Sequence, residues 1–406
     1  MANIINYAAV FNRILDEKFY IMPRTMWMEN TDPALVYEGG KEIKIPMLET
    51  NGLGDMVGYK APDGDVTFEY ETKILQWYRG RNFQIGRYDT SETNFALNVE
   101  NLLRVFLRSH AVPEMDRVRI ATVAQGAINK GLYTSQATAS ITTSNILGLL
   151  LDDIAKVQNE IGEDVQLYIQ ISTKLKNLLE QSEKIAKYLN VKDFQIRSAT
   201  LQLNALNDQY LVGTPDAYMK AAVGLADGRT SGQTVGGVIF TALGPGINWI
   251  IAAREAVDAI SRPQVTKVID PDTNQEGEFW KVMFSMYHGA WCFDAKAKGT
   301  LVNMDTTLGA LTVSSVAGTV STGDSIISVA ENLGGSDIVK LVWKAASGTA
   351  PAVTAGTALT VANGWADLPA SGLISTTNGY KLTVAAVAKD SLLPLSKGNA
   401  DVVAKT

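Results

Sequence analysis

Cysteine is nearly missing from this sequence. Cys292 is the only one in 406 residues, which excludes an intrachain disulfide framework and any multi-cysteine zinc site. Histidine is almost as scarce: His110 and His288 are too few for a histidine-based metal centre. No window approaches eighteen uninterrupted apolar residues, so no membrane-spanning helix is expected. The opening MANIINYAAVFNRILDEKF lacks the continuous apolar centre of a signal peptide, and acids follow within it. These absences together predict a chain made and kept in a reducing cytoplasm. Positive charge is not in excess either. A net charge of −6 argues against a dedicated duplex-DNA reader with a broad basic face.

What remains is a globular composition, 46% hydrophobic and 19% charged, on a chain long enough for two or three cores. The composition changes near Met304. Beyond it there is no Phe, Met, Arg, His or Cys, while Gly, Ala, Ser, Thr and Val dominate. Short alternating runs (ALTVSSV, SIISVA, IVKLVWKA, YKLTVAAVA) are separated by turn-forming STGD, NLGG, ASGTA and TTNG. That spacing predicts a small all-β sandwich, with Trp343, Trp365 and Tyr380 as core bulk.

The body before Met304 reads as α+β. Residues 1–35 form an arm, and residues 36–90 a β-rich excursion around the glycine-dense NGLGDMVGYKAPDGD. Val66, Phe68 and Tyr70 alternate with polar neighbours, the period of a strand with one covered face. An isolated hairpin is marginal in water, so this one needs a neighbour to lie against. Phe95, Val99, Leu102, Leu103 and Phe106 make an apolar helix stripe, which SHAVP is expected to break before Pro113. Further along, residues 143–161 and 173–190 read as helices, EDVQLYIQIS and INWIIAA as strands, and LNALNDQYLVGTP as a hairpin. REAVDAISRP reads as a short helix, PQVTKVIDP as a strand, and EGEFWKVMFSMYHGAWCFDAKA as one long strand.

The search for chemistry returns structural readings. Pro113 suits the first position of a new helix, and Glu114 and Asp116 fall in its first turn as helix caps. Two residues apart, they diverge by about 200° and share no site. GRTSGQTVGG and LGPGIN lack the spacing of phosphate-binding loops. Cys292 reads as a small buried hydrophobe, His288 as a packed histidine, and Asp152 and Asp153 as parts of a solvated helix face. No catalytic residue, metal or cofactor is expected. Trp77, Arg79, Arg81 and Arg87 form the densest basic–aromatic cluster. On a net acidic chain they read as contacts to another protein surface rather than to nucleic acid.

The order of these elements resembles the major capsid proteins of tailed bacteriophages, the Hong Kong 97-like fold. The family's "P-E-hydrophobic-D" segment after the spine helix is matched by Pro113, Glu114, Met115 and Asp116. LNALNDQYLVGTPDAYM, INWIIAAREAVDAI and EFWKVMFSMYHGAWCFDAKAKG are similar to its later elements, so the likeness covers about residues 1–304. The resemblance implies an N-terminal arm (1–35), an extended β-hairpin loop (36–90), a peripheral domain with spine helix (91–130 and 246–304) and an axial domain (131–245). Residues 305–406 resemble the immunoglobulin-like additions of some phage structural proteins. They would project from the outer shell surface, so that truncation after Met304 leaves a folded body.

The function so implied is self-assembly into an icosahedral head enclosing double-stranded DNA. The implied partners are the chain itself, as hexamers and pentamers, a portal, a separate scaffolding protein and packaged DNA by non-specific proximity, with no membrane. The family's lysine–asparagine crosslinking residues have no match here. A cytosolic enzyme with an appended β domain, or a phage tail or sheath component, are the alternative readings.

Overall fold

The structure, a computed structural model, describes residues 22–29, 42–56, 59, 63–75, 77–92, 99–182, 189–196, 199–206, 209–229, 234–239, 244–319, 321–330, 339–389 and 391–405. Phe95 and most of the N-terminal arm lie outside them, as does most of the second half of the helix expected over 173–190.

A seven-stranded mixed sheet forms the centre, ordered β4-β14-β11-β5-β8-β7-β6. Its members are β4 (Tyr133–Ser135), β5 (Leu167–Ser172), β6 (Leu189–Ile196), β7 (Ala199–Leu206), β8 (Gln209–Thr214), β11 (Ile247–Ala253) and β14 (Thr300–Met304). The middle strands are buried on both faces, which explains their unbroken apolar spelling. In β11, Trp249, Ile251 and Ala253 point to one core, while Ile250 and Ala252 point to the other. The first core is roofed by α4 (Ile146–Ile161) through Leu147, Leu150, Ile154 and Val157. The second is closed by α3 (Val112–Asn129) through Ile120, Val123 and Ile128. Burying each of these large side chains is worth about 1.5–3 kcal/mol. The helix after β5 is short: α5 spans Thr173–Glu180, capped by the Ser172 hydroxyl accepting from Leu175 N–H.

A second sheet, ordered β12-β13-β3, lies across the other flank of α3. It comprises β3 (Trp77–Gly86), β12 (Val257–Ile269) and β13 (Phe279–Cys292). The long terminal strand is present as expected. The short helix expected over REAVDAISRP reduces to one 3-10 turn, Arg254–Ala256, and the rest belongs to β12. Pairing along β13, from Val257 opposite Cys292 to Ile269 opposite Lys281, outweighs the local helical preference of Glu and Ala. Residues 77–86 also depart from expectation: they pair with β13 rather than prolonging the hairpin. The hairpin is a separate two-stranded sheet of β1 (Glu42–Thr50) and β2 (Val66–Ile74).

The expected helix break does not occur. Between α2 (Val99–Phe106) and α3 the backbone stays helical, passing through a π turn at Leu107–Ala111. Val112 N–H donates to Leu107 O, five residues back. Proline normally ends a helix because its ring strikes the carbonyl four residues earlier. A π turn widens the coil just ahead of Pro113, which lets the helix pass through. α1 (Arg87–Glu92) precedes this rod, and the short strands β9 (Gly224–Ala226) and β10 (Gly237–Ile239) pair with each other.

Among the described residues after Met304 the regular structure is β, as expected, apart from one 3-10 turn at Val361–Asn363. A five-stranded sheet, β15-β22-β21-β18-β19, faces a three-stranded one, β16-β17-β20. Their ranges are β15 (Gly309–Ala310), β16 (Val313–Ala317), β17 (Asp324–Val329), β18 (Val339–Ala346), β19 (Ala366–Asp367), β20 (Leu373–Ser375), β21 (Lys381–Ala388) and β22 (Pro394–Asp401). Ile327 and Ile374 meet Leu382 and Val384 between the sheets, with Trp343 and Tyr380 alongside, while Trp365 fills a second cluster. This sandwich is not detached. Leu311, Val339, Ala386, Ala388, Leu393 and Leu395 belong to the same buried cluster as Ile120, Val123 and Val302 of the body.

Candidate functional site: a helix joint and an exposed hairpin

Glu114 and Asp116 diverge, as their spacing requires, and each finds a partner other than its own helix end. No side chain caps the start of α3. Asp116 is fully buried and receives Arg24 N–H at 2.9 Å, Thr25 N–H at 3.3 Å and the Thr25 hydroxyl at 2.5 Å. It therefore caps the N-terminal segment, not the helix that carries it. Burial pushes its carboxyl above the usual range, opposed by these hydrogen bonds and by the Arg119 charge.

Arg119, equally buried, donates to Glu29 Oε2 at 2.7 Å and to Thr25 O at 3.4 Å. Glu29 Oε1 in turn accepts from the Ser261 hydroxyl at 2.6 Å. Residues 24–29 are thus stapled between α3 and β12, with Trp27 stacked on Tyr168 at 4.7 Å. The sequence signal for this was Asp116 and Arg119, two of the four charged residues that lead into the core-like run from Ile120.

The four basic–aromatic candidates lie along β3 and its end. Arg79 forms a two-pronged bond to Glu114, Nε to Oε1 at 2.6 Å and Nη2 to Oε2 at 3.2 Å. Arg87 pairs with Asp272 at 2.8 Å in the open. Arg81 donates to Thr234 O at 3.2 Å, and its guanidinium sits between Gly228 and Gly236. Both glycines have positive φ (+73° and +69°), and a Cβ on either would stand 3.0 or 3.2 Å from Arg81 Nη1. Gly228 and Gly236 of the glycine-rich stretch therefore cradle a guanidinium of their own chain. Trp77 is half-buried, and neighbouring Tyr78 stacks on Tyr287 at 4.2 Å on the outer face of the sheet.

The remaining titratable groups have structural work. Asp152 is exposed as expected, but Asp153 is buried. Its Oδ2 accepts from Trp249 Nε1 at 3.0 Å, Thr134 Oγ1 at 3.0 Å and Asn303 Nδ2 at 3.1 Å, tying α4 to the central sheet. Cys292 is buried, its Sγ donating to Val123 O at 3.5 Å, and burial pushes the thiol up to about 11. His288 is buried in β13, and burial beside Arg119 and Arg79 pushes its imidazole down to about 3.

At the base of the hairpin, Lys73 pairs with Glu71 and Asp294, and Lys130 with Asp294. Burial raises Glu71. It would raise Asp294 too, but hydrogen bonds from Glu71 and Lys130 bring Asp294 down to about 2. Among the described residues, no three His, Cys, Asp or Glu converge on a metal-sized site.

The hairpin shows the least internal satisfaction. In the β1–β2 register Leu48 lies opposite Phe68 and Pro46 opposite Tyr70, so these side chains share one face with Val66. Leu48, Phe68 and Tyr70 are 65%, 55% and 59% exposed, and Val66 is exposed as well. Phe68 and Tyr70 meet edge-on at 5.1 Å. A monomer seldom leaves so apolar a strand pair uncovered.

Neither protein-family models nor curated proteins yield a match to this sequence. Solved structures do. The capsid structure of the cyanophage P-SCSP1u aligns with a TM-score of 0.52 at 12% identity, over 75% of this chain and 93% of that one. The asymmetric unit of the bacteriophage PhiM1 mature capsid aligns with a TM-score of 0.50 at 10% identity, with the same two coverages. This is a phage-capsid fold. The α+β capsid architecture expected from the sequence resemblance is borne out.

Proposed function

We propose that this chain is a structural, non-enzymatic subunit that self-assembles into the icosahedral head of a tailed bacteriophage, and so resides in the virion capsid. The observation that carries the proposal is the apolar hairpin face extending uncovered from a capsid-type fold. In a shell, a neighbouring copy of the chain covers it, and repeated heterologous contacts of this kind close into a container. The contacts that replace water on Leu48, Phe68 and Tyr70 offset the entropy of fixing the hairpin, about 1–2 kcal/mol per backbone residue. Many modest contacts per subunit make a stable whole.

In this reading residues 1–35 are the arm and 36–90 the extended loop, while 91–130 with 246–304 form the peripheral domain. Residues 131–245 are the axial domain, and 305–406 an immunoglobulin-like domain on the outer surface. Trp77, and Arg87 in its solvent-exposed pair with Asp272, are the candidates for contacts between subunits, whereas Arg79 and Arg81 serve within the chain. Portal, scaffolding protein and packaged DNA are the further partners of a head subunit. The enzyme reading gains no support, because Glu114, Asp153 and Asp116 are each engaged in holding elements together.

Analytical ultracentrifugation with electron microscopy tests the proposal. The purified chain is expected to form closed particles of megadalton size. Open tubes would favour a tail component, and small oligomers at every concentration and salt would overturn the shell reading.

A further inference from the structure

A cavity of about 270 Å³ lies where three units meet: the β3–β13 sheet, the π turn ahead of α3, and the β9–β10 strand pair. One wall is aromatic. Phe106 packs edge-on against Phe83 at 5.0 Å and Phe284 at 5.6 Å. Beside it on the same sheet face, two residues from Phe83 and in register with Phe284, stands Arg81, which has no carboxylate partner among the described residues. The other charged groups on the lining are accounted for: Glu114 is held by Arg79, and Asp227 accepts from Arg229 N–H at 2.8 Å. His288 also lines the cavity, almost wholly buried, and its Nδ1 has no hydrogen-bond partner among the described residues.

We propose that this cavity is a binding site for a small aromatic acid, its ring against Phe83, Phe106 and Phe284 and its carboxylate on Arg81. An engineered cavity of about 150 Å³ holds benzene, so this one admits a two-ring molecule. Guanidinium–carboxylate pairing sets the orientation. The π turn contributes by setting His110 and Ala111 on the cavity's edge, a common use of such turns. Because its walls come from three units, an occupied site ties them together and stiffens the joint. The proposal is independent of the shell reading.

The test is titration of the full chain with 2-naphthoate, followed by its fluorescence and by thermal melting. The expected result is saturable one-to-one binding with a raised melting temperature. Arg81→Gln is expected to weaken it about tenfold, the loss of one charge-assisted bond. Because Arg81 also holds the glycine loop, Val235→Trp supplies a second variant. Val235 is 83% exposed at the cavity mouth, so the larger ring blocks entry without disturbing the core. Absence of saturable binding by a folded wild-type chain overturns the site. So does unchanged affinity in a Val235→Trp protein that melts normally. Equal affinity for neutral 2-naphthylmethanol overturns the acid preference.

Discussion

Removing the Asp116 carboxylate strands three donors, Arg24 N–H, Thr25 N–H and the Thr25 hydroxyl, and leaves Arg119 buried beside them. Breaking such a buried charged cluster from one side costs about 3–5 kcal/mol. Asp116→Ala is therefore expected to lower stability by that order in urea melts, and to open residues 22–29 to protease before global unfolding. Asp116→Asn keeps an acceptor and should cost less. His288 gives a pH dependence. Its folded value of about 3 lies below the ordinary 6.5, so between these limits the unfolded chain binds a proton that the folded chain refuses. Stability from this group is complete above about pH 6.5 and is lost as pH falls, by up to about 1.4 kcal/mol per unit. Asp116 and Glu71, raised by burial, act in the opposite sense but are common to both proteins in a comparison. His288→Leu is expected to make the fall in stability from pH 6.5 to 4.5 shallower by about one proton. An unchanged slope in denaturant titrations would place the acid sensitivity elsewhere.

At the scale of elements, strands with a plain burial pattern were the most legible: INWIIAA is buried throughout, and FWKVMFSM alternates, with Val282 and Phe284 buried around an exposed Met283. The first half of the 257–269 strand was not: PQVTKVIDP reads as a strand, but VDAISR before it reads as helix, since its pairing with β13 is a long-range fact that Glu, Ala and Val do not encode locally. The joint at 107–112 was misread as a break because Pro113 is a strong local signal, and only the widened turn before it accommodates the ring. For the candidate site, composition and order pointed to the hairpin and the proline joint. The true partners of Asp116 and Arg81 lie 91–92 and 153 residues away and left no local trace. The hairpin carries its own prediction. Phe68→Glu with Tyr70→Glu alters only exposed side chains, so the isolated subunit should melt within about 1 kcal/mol of wild type. Particle formation, counted by electron microscopy, is expected to fail. Normal particles from the double variant would mean that this face is not what neighbours cover.

At the scale of the molecule, the question is whether the sandwich after Met304 is an appendage. Its composition suggests one, and it has internal clusters of its own around Leu382 and Trp365. Yet β21 is buried along nearly its whole length. Leu382 and Val384 face the three-stranded sheet, while Ala386 and Ala388 continue into the cluster that holds Ile120, Val123 and Val302. The helix α3, with the π turn at its start and the N-terminal staple on its side, is therefore packed by the tail as well as by both body sheets. Cutting after Met304 removes six apolar side chains from that shared cluster and exposes the body surface they cover. Each contributes its burial term plus the contacts its neighbours lose. Truncation after Met304 is accordingly expected to lower the body's melting temperature by several degrees, at about 2–4 °C per kcal/mol, and to broaden its calorimetric transition. A truncated body that melts with the enthalpy and midpoint of the full chain's body transition would show the opposite. The sandwich would then be a passenger, and the shared cluster a contact without energetic weight.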